Sequence, residues 1–161
     1  MSDYKLNTDW DIWYHSIEDN SWTNDSYKLL YKVKNLYDIQ FLEDTIQQNH
    51  LQNSMFFAMR EDIFPTWEDP DNRLGCCISF KVPACKLQDE WNLLLKRVLT
   101  EDILKDKDKW EEINGISISP KKEFNIIKLW LRNNNEKYTE FIKEYPVYMV
   151  KDKSIHKKHF N

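Results

Sequence analysis

Three tryptophans and one carboxylate stand where core packing does not call for them. Trp22 lies in EDNSWTNDS, a polar turn between two strand-like runs. Trp67 and Glu68 lie in IFPTWEDPDNRLG, Ile63 to Gly75, where Pro65, Pro70, Asp71, Asn72 and Gly75 are turn and breaker residues. Trp130 sits in NIIKLWLRN, where period-two alternation puts it with Ile126, Lys128 and Arg132 and opposite Ile127, Leu129 and Leu131. Two loop indoles can clamp a flat ring, and stacking on an aromatic side chain is worth about 1–3 kcal/mol per base. A carboxylate beside the clamp can accept two adjacent N–H donors. Guanine offers N1–H and its N2 amine side by side and adenine does not, so Glu68 would select guanine. Methylation at N7 makes that base cationic and adds cation–π attraction of roughly 0.5–2 kcal/mol per favourable contact.

Other chemistries use the same residue types. Exposed tryptophans with carboxylates also bind sugar rings, but a carbohydrate-binding module would show no preference for a cationic base. Glu68 and Asp69 could be a general acid–base or metal pair, yet neighbours on a loop need not converge. No Ser/His/Asp, Cys/His, phosphate-loop or metal motif accompanies them. No catalytic residue, metal site or cofactor is therefore expected.

The elements that must hold these residues are legible as runs. Strands are predicted at Trp10 to Ile17, Tyr27 to Val33, Ser54 to Arg60, Cys76 to Val82, Ile116 to Ser119, Asn125 to Arg132 and Val147 to Lys151, all rich in aromatic and β-branched residues. In ISISPK, Ile116 and Ile118 face the core, and Ser117, Ser119 and Lys121 the other side. Helices are predicted in NLYDIQFLEDTIQQ, with Asn35 as cap and Ile39, Leu42 and Ile46 on one face, and in KLQDEWNLLLKRVLTEDIL, with Leu87, Trp91, Leu94, Leu95 and Val98. A third is predicted in NEKYTEFIKEY, with Asn135 as cap and Tyr138, Phe141, Ile142 and Tyr145. One-sided helices among antiparallel strands give an α+β layer in which one sheet face is covered and the other left for function.

Composition bounds the rest. With 161 residues, 31% charged, 41% hydrophobic, 2 glycines and 5 prolines, the chain is neither disordered nor fibrous and fits one domain over residues 1–161. A net charge of −4 excludes a bulk electrostatic grip on duplex nucleic acid, so any phosphate contact must be local. Cys76, Cys77 and Cys85 form no CxxC, and no histidine stands at zinc-finger spacing, so free thiols are expected. No apolar run approaches a membrane span, and MSDYKLNTDW lacks the regions of a signal peptide. The expectation is a cytoplasmic monomer without membrane contact. Lysine outnumbers arginine and Asn and Ile are abundant, as in AT-rich coding of a protist or virus.

The order WDIW…SW…FPTWEDPDNRLG…EW…ISISPKKEFNIIKLW resembles the eukaryotic translation initiation factor 4E family of messenger RNA cap-binding proteins over nearly the whole chain. The resemblance implies a curved antiparallel sheet of about seven or eight strands, three helices on its convex back and a ligand slot on its concave front. By position it implies that Trp22 and Trp67 sandwich 7-methylguanine, that Glu68 binds N1 and N2, and that Trp130 lies beside the N7 methyl. Lys121 takes the place of a phosphate-binding arginine, a swap that keeps charge but not bidentate geometry. A second basic phosphate position corresponds to Ile126 and another arginine to Cys77, so Lys122, Lys128 or the basic C-terminal segment would compensate. Trp10, Trp13 and Trp91 match structural tryptophans, and Trp110 is read as ordinary packing.

On the back, the family binds scaffold and repressor helices of the form Tyr-x-x-x-x-Leu-hydrophobic. Here the tryptophan of that surface corresponds to Gln40, and its Leu-Glu pair to Asn92 and Leu93. Leu36 keeps an apolar contact, and Tyr4 stands where histidine is common. Losing an exposed tryptophan removes the kind of anchor that dominates interfaces. The expected partners are capped messenger RNA and a scaffold related to initiation factor 4G or a dedicated substitute. The implied role is translation initiation, with a cap-sequestering competitor of host translation as the alternative.

Overall fold

In a computed structural model, which describes residues 4–160, seven strands form one wholly antiparallel, curved sheet. They are β1 (Lys5–Ser16), β2 (Tyr27–Asn35), β3 (Ser54–Arg60), β4 (Cys76–Pro83), β5 (Ile113–Pro120), β6 (Phe124–Leu131) and β7 (Ile155–Lys158), in the spatial order β2-β1-β3-β5-β6-β4-β7. Three helices, α1 (Leu36–Thr45), α2 (Gln48–Asn53) and α3 (Leu87–Leu99), accompany the sheet.

Alternation along the strands divides the apolar residues into two clusters. Trp10 and Ile12 of β1, Phe56 and Ala58 of β3, Ile116 and Ile118 of β5 and Ile127, Leu129 and Leu131 of β6 join the helix residues Ile39, Leu42, Leu51, Leu87, Trp91, Leu94 and Leu95. Phe57, Met59, Cys77 and Trp130 turn the opposite way and gather Trp13, Tyr27, Met55, Ile63 and Trp67. The intervening residues thus build a second, smaller apolar layer on the face that carries no helix.

The helices begin where the side chains direct. Asn35 accepts the Asp38 amide at 3.0 Å, capping α1, and Asp38 in turn accepts from the Tyr31 hydroxyl at 2.6 Å. In α3, Asp89 and Glu90 lie in the first turn and Lys96 and Arg97 in the last, both favourable to the helix dipole.

Two predicted elements differ. The helix expected from Asn135 to Tyr145 is a single 3-10 turn, Tyr138–Glu140. Its neighbours instead bond to the segment after α3: Lys105 donates to the Phe141 carbonyl and Lys143 to the Ile103 carbonyl, each at 2.8 Å. Tyr138, Phe141 and Ile142 are nonetheless buried in the main core, so the apolar stripe marks burial here without a helical backbone. The third helix is α2, where the Gln47 amide donates to His50 Nδ1 at 2.9 Å. The strand expected at Val147 to Lys151 is a turn closed by a Tyr145–Met149 bridge, and the seventh strand is β7, four residues further on.

Candidate functional site

The loop between β3 and β4 is braced by its own polar residues. Asp69 accepts the Phe64 amide and the Asp71 amide, both at 2.9 Å, so its two oxygens hold the loop together. Asn72 is fully buried and donates to the carbonyls of Phe64 (3.1 Å) and Thr66 (2.9 Å), while its own oxygen accepts from Asn114 at 2.9 Å. Gly75 closes the loop against β6, where an added Cβ would lie 1.9 Å from the Leu131 carbonyl oxygen. Trp67 and Glu68 are thus held on a turn whose buried polar groups are paired, the arrangement that keeps an irregular segment rigid.

Trp22 is held differently. It is 52% exposed and has φ of 48°, a left-handed conformation that costs a bulky residue of order 1–3 kcal/mol. Its indole stacks on the His15 imidazole, with centroids 3.8 Å apart and planes 8° from parallel, and meets Tyr27 edge-on at 6.2 Å. Trp67 stacks, more offset, on His159 at 5.4 Å and 15°, with the Lys157 ammonium 5.0 Å from its ring centre.

Between these indoles lies a cleft of about 310 Å³ on the helix-free face. Trp22, Trp67, Glu68, Lys128 and Trp130 all line it, with Tyr27, Met55, Phe57, Pro65 and Thr66 completing the walls. Trp130 is nearly buried and donates from Nε1 to the Ser117 hydroxyl at 3.0 Å, which fixes its ring plane and confirms that Ser117 and Trp130 share a face. Glu68 is exposed at the rim. Burial, and then the Glu68 charge, raise the Tyr27 phenol above its ordinary pKa, so Tyr27 is a neutral wall of the cleft. Aromatic faces, one carboxylate and one ammonium can together take a flat, positively charged ring with an adjacent anionic group.

Not every expected residue lies there. Lys121 and Lys122 line a separate depression at the β5–β6 hairpin with Gln52, Glu123 and Asn125. Of the three lysines expected at phosphate, Lys128 alone is a wall of the cleft. Cys77 packs in the smaller cluster, its thiol pushed up by burial, and Ile126 lines a further depression with Lys81 and Lys153. Sequence reasoning missed His15, His159 and the bracing roles of Asn72 and Asp69. The spacing of EDPDN signals the loop's internal bonds, whereas nothing local marks the histidines. Among the described residues no group of three His, Cys, Asp or Glu side chains could hold a metal, and no helix is long and apolar enough to cross a membrane.

On the helical side, Leu36, Gln40 and Leu93 line a groove of about 460 Å³ with Ile39, Lys96, Arg97, Thr100 and Asp102. Tyr4 stands against Tyr37, ring centres 5.2 Å apart, and Tyr37 and Phe41 are both exposed on α1. Asn92, half-buried on α3, is not among the groove's walls.

Comparison with known proteins gives a consistent answer. A model of the family described as Eukaryotic initiation factor 4E matches residues 5–158. A eukaryotic translation initiation factor 4E homolog of Acanthamoeba polyphaga mimivirus is 32% identical over 90 residues, 56% of this chain and 33% of the viral protein. The Saccharomyces cerevisiae factor is 26% identical over 143 residues, 83% of this chain and 64% of its own length. The chain therefore spans less than two thirds of the length of these relatives. Among solved structures, Ascaris suum eIF4E-3 with m7G cap superposes with a TM-score of 0.74 at 24% identity, over 85% of this chain and 78% of that one. Schistosome eIF4E complexed with m7GpppG and 4E-BP gives 0.75 at 20% identity, over 85% and 76%. At these identities the structures establish the fold, and with the family match spanning nearly the whole chain, this protein belongs to the eukaryotic initiation factor 4E family.

Proposed function

We propose that this chain is a non-catalytic receptor for the 7-methylguanosine 5′ cap of messenger RNA, acting as a single cytoplasmic domain in translation initiation. The observation that carries the reading is the convergence of Trp22, Trp67, Glu68, Lys128 and Trp130 on one cleft of the helix-free face. Trp22 and Trp67 stack on the methylated base, Glu68 takes its N1–H and N2 amine, Trp130 packs beside the methyl group, and Lys128 neutralises the nearest phosphate. Lys121 and Lys122 lie at the hairpin outside the cleft, so they serve RNA beyond the cap and not its nearest phosphate. Solved relatives are described as complexes with m7G cap and with m7GpppG and 4E-BP, which supports both the ligand and a protein partner.

The groove lined by Leu36, Gln40 and Leu93 receives the partner helix of a scaffold protein. Its exposed apolar residues, with Tyr37 and Phe41 nearby, favour a partner-binding initiation factor over a protein that merely sequesters caps. Intrinsic tryptophan fluorescence titrated with 7-methyl-GTP and with GTP tests the reading. Strong quenching by the methylated nucleotide and little by GTP is expected, whereas an equal or absent response refutes cap recognition.

A further inference from the structure

Each of the two loop indoles of the cleft lies on a histidine ring that is not itself a cleft wall. His15 of β1 is fully buried beneath Trp22, with Nδ1 2.8 Å from the Ser16 carbonyl, Nε2 2.9 Å from the Ser26 hydroxyl and Tyr27 edge-on at 4.9 Å. His159 is buried behind Trp67 and donates from Nδ1 to the Asn72 carbonyl at 2.6 Å, with Nε2 3.0 Å from the Cys77 sulfur. Burial, before any other cause, lowers the His159 pKa and raises that of the Cys77 thiol. The pair is therefore a neutral imidazole accepting from a thiol, not an ion pair. In both histidines the two ring nitrogens are engaged, so neither ring is free to turn.

The indoles need such support for different reasons. Trp22 is on a polar loop, half exposed and in a left-handed backbone conformation, and its aromatic contacts are His15 and the edge of Tyr27. Trp67 is on a braced loop and lines the cleft, and its indole has the His159 ring 5.4 Å away and the Lys157 ammonium 5.0 Å from its centre. Without a plate behind it an indole would be ordered by the ligand, and immobilising a flexible side chain lowers affinity about 2- to 10-fold.

We propose that His15 and His159 are the positioning residues of the cleft, each a pinned plate that holds one indole in its ligand-ready plane before anything binds. The inference rests on the cap-binding reading for its ligand but not for its geometry. It also makes the segment after β7 part of the site, since His159 ties that segment to the Trp67 loop.

The test uses the full chain labelled with 5-fluorotryptophan, the Trp22 and Trp67 resonances being assigned by their loss in W22F and W67F. In the ligand-free protein, His15→Ala is expected to shift and sharpen the Trp22 resonance while leaving that of Trp67, and His159→Ala to do the reverse. Affinity for 7-methyl-GTP is expected to fall about 2- to 10-fold in each. His15→Ala should cost nothing further in the W22F background, and His15→Phe, which keeps a flat ring, should restore most of the loss. Should His159→Ala not fold, as urea denaturation would reveal, His159→Gln is measured in its place. A Trp22 resonance unmoved by His15→Ala, or an affinity loss of equal size in the W22F background, overturns the proposal. If the wild type does not bind 7-methyl-GTP, the cap reading fails and the ligand-free resonances alone decide the positioning roles.

Discussion

His159 donates to the carbonyl of Asn72 across 87 positions of sequence, at 2.6 Å, and so joins the C-terminal segment to the loop that presents Trp67. Asn72 is the hub of that loop, because its side chain also bonds Phe64, Thr66 and Asn114. Asn72→Ala leaves these buried groups without partners and should destabilise the fold by about 2–4 kcal/mol. Urea denaturation measures the loss. A midpoint within error of the wild type would mean the loop does not depend on its hub.

The same histidine gives a pH dependence with a defined sign. Burial, ahead of the Lys128 charge, lowers the pKa of His159 below its ordinary 6.5. In the acid range the unfolded chain then binds a proton that the folded chain refuses. Stability is complete above the ordinary histidine value and declines as pH falls from there towards the lowered folded value. Wild type should therefore lose more stability than His159→Phe between neutral and mildly acid pH, by urea midpoint. Parallel losses in the two proteins would contradict the assignment.

Glu68 is exposed, so the proposed cap reading gives it a part in recognition and none in folding. Glu68→Gln replaces one carboxylate oxygen with an amide that faces the N–H donors of guanine. Hydrogen bonds to a charged group are worth about 1.5–3 kcal/mol, so affinity for 7-methyl-GTP should drop roughly 10- to 100-fold with an unchanged melting temperature. Calorimetric titration beside a thermal scan separates the two effects.

Lys128 lines the cleft and Lys121 with Lys122 does not, which sorts the lysines by experiment. Lys128→Ala should weaken 7-methyl-GTP by roughly 3- to 10-fold at low salt and by less at high salt, with little effect on uncharged 7-methylguanosine. The Lys121→Ala, Lys122→Ala double variant should bind the nucleotide as wild type does. The reverse ranking would move the phosphate path to the hairpin.

The groove on the helical side is tested apart from the cleft. Leu36→Asp or Leu93→Asp should weaken binding of a Tyr-x-x-x-x-Leu-hydrophobic peptide by roughly 10-fold or more, as for an interface anchor, while cap-resin retention stays intact. A peptide that binds both variants as it binds wild type uses some other surface.

How much of this was legible in the sequence depends on how local each cause is. Lys128 and Trp130 against Ile127 and Leu129, the Asn35 cap, and the breaker-rich loop at 63–75 all report on neighbours within a few positions, and the structure agrees at each. The segment from Asn135 to Tyr145 has a helical stripe, but its amides and carbonyls find partners at Ile103 and Lys105, more than thirty residues away. The apolar spacing shows what is buried and not which hydrogen bonds the backbone makes. His159 is invisible for the same reason: its partners Asn72 and Cys77 are brought together by the β4–β7 pairing, and no pattern of nearby residues announces it. The five cleft residues stand out by the mismatch between their chemistry and their neighbourhood: indoles on polar loops, a carboxylate beside one of them, and a tryptophan and a lysine on the face of a strand opposite its aliphatic residues.

The placement of β2 and β7 at the two margins of the sheet also bears on solubility. An open sheet ends in two rows of unpaired amides and carbonyls that another copy could extend into a fibre. Here one margin is only four residues long and ends in Lys157 and Lys158, and the other carries Lys28, Lys32 and Lys34 around the exposed Leu29 and Leu30. The lysines of these two margins therefore guard against edge-to-edge aggregation, so neutralising them for tighter crystal packing or easier labelling would trade away dispersion in solution.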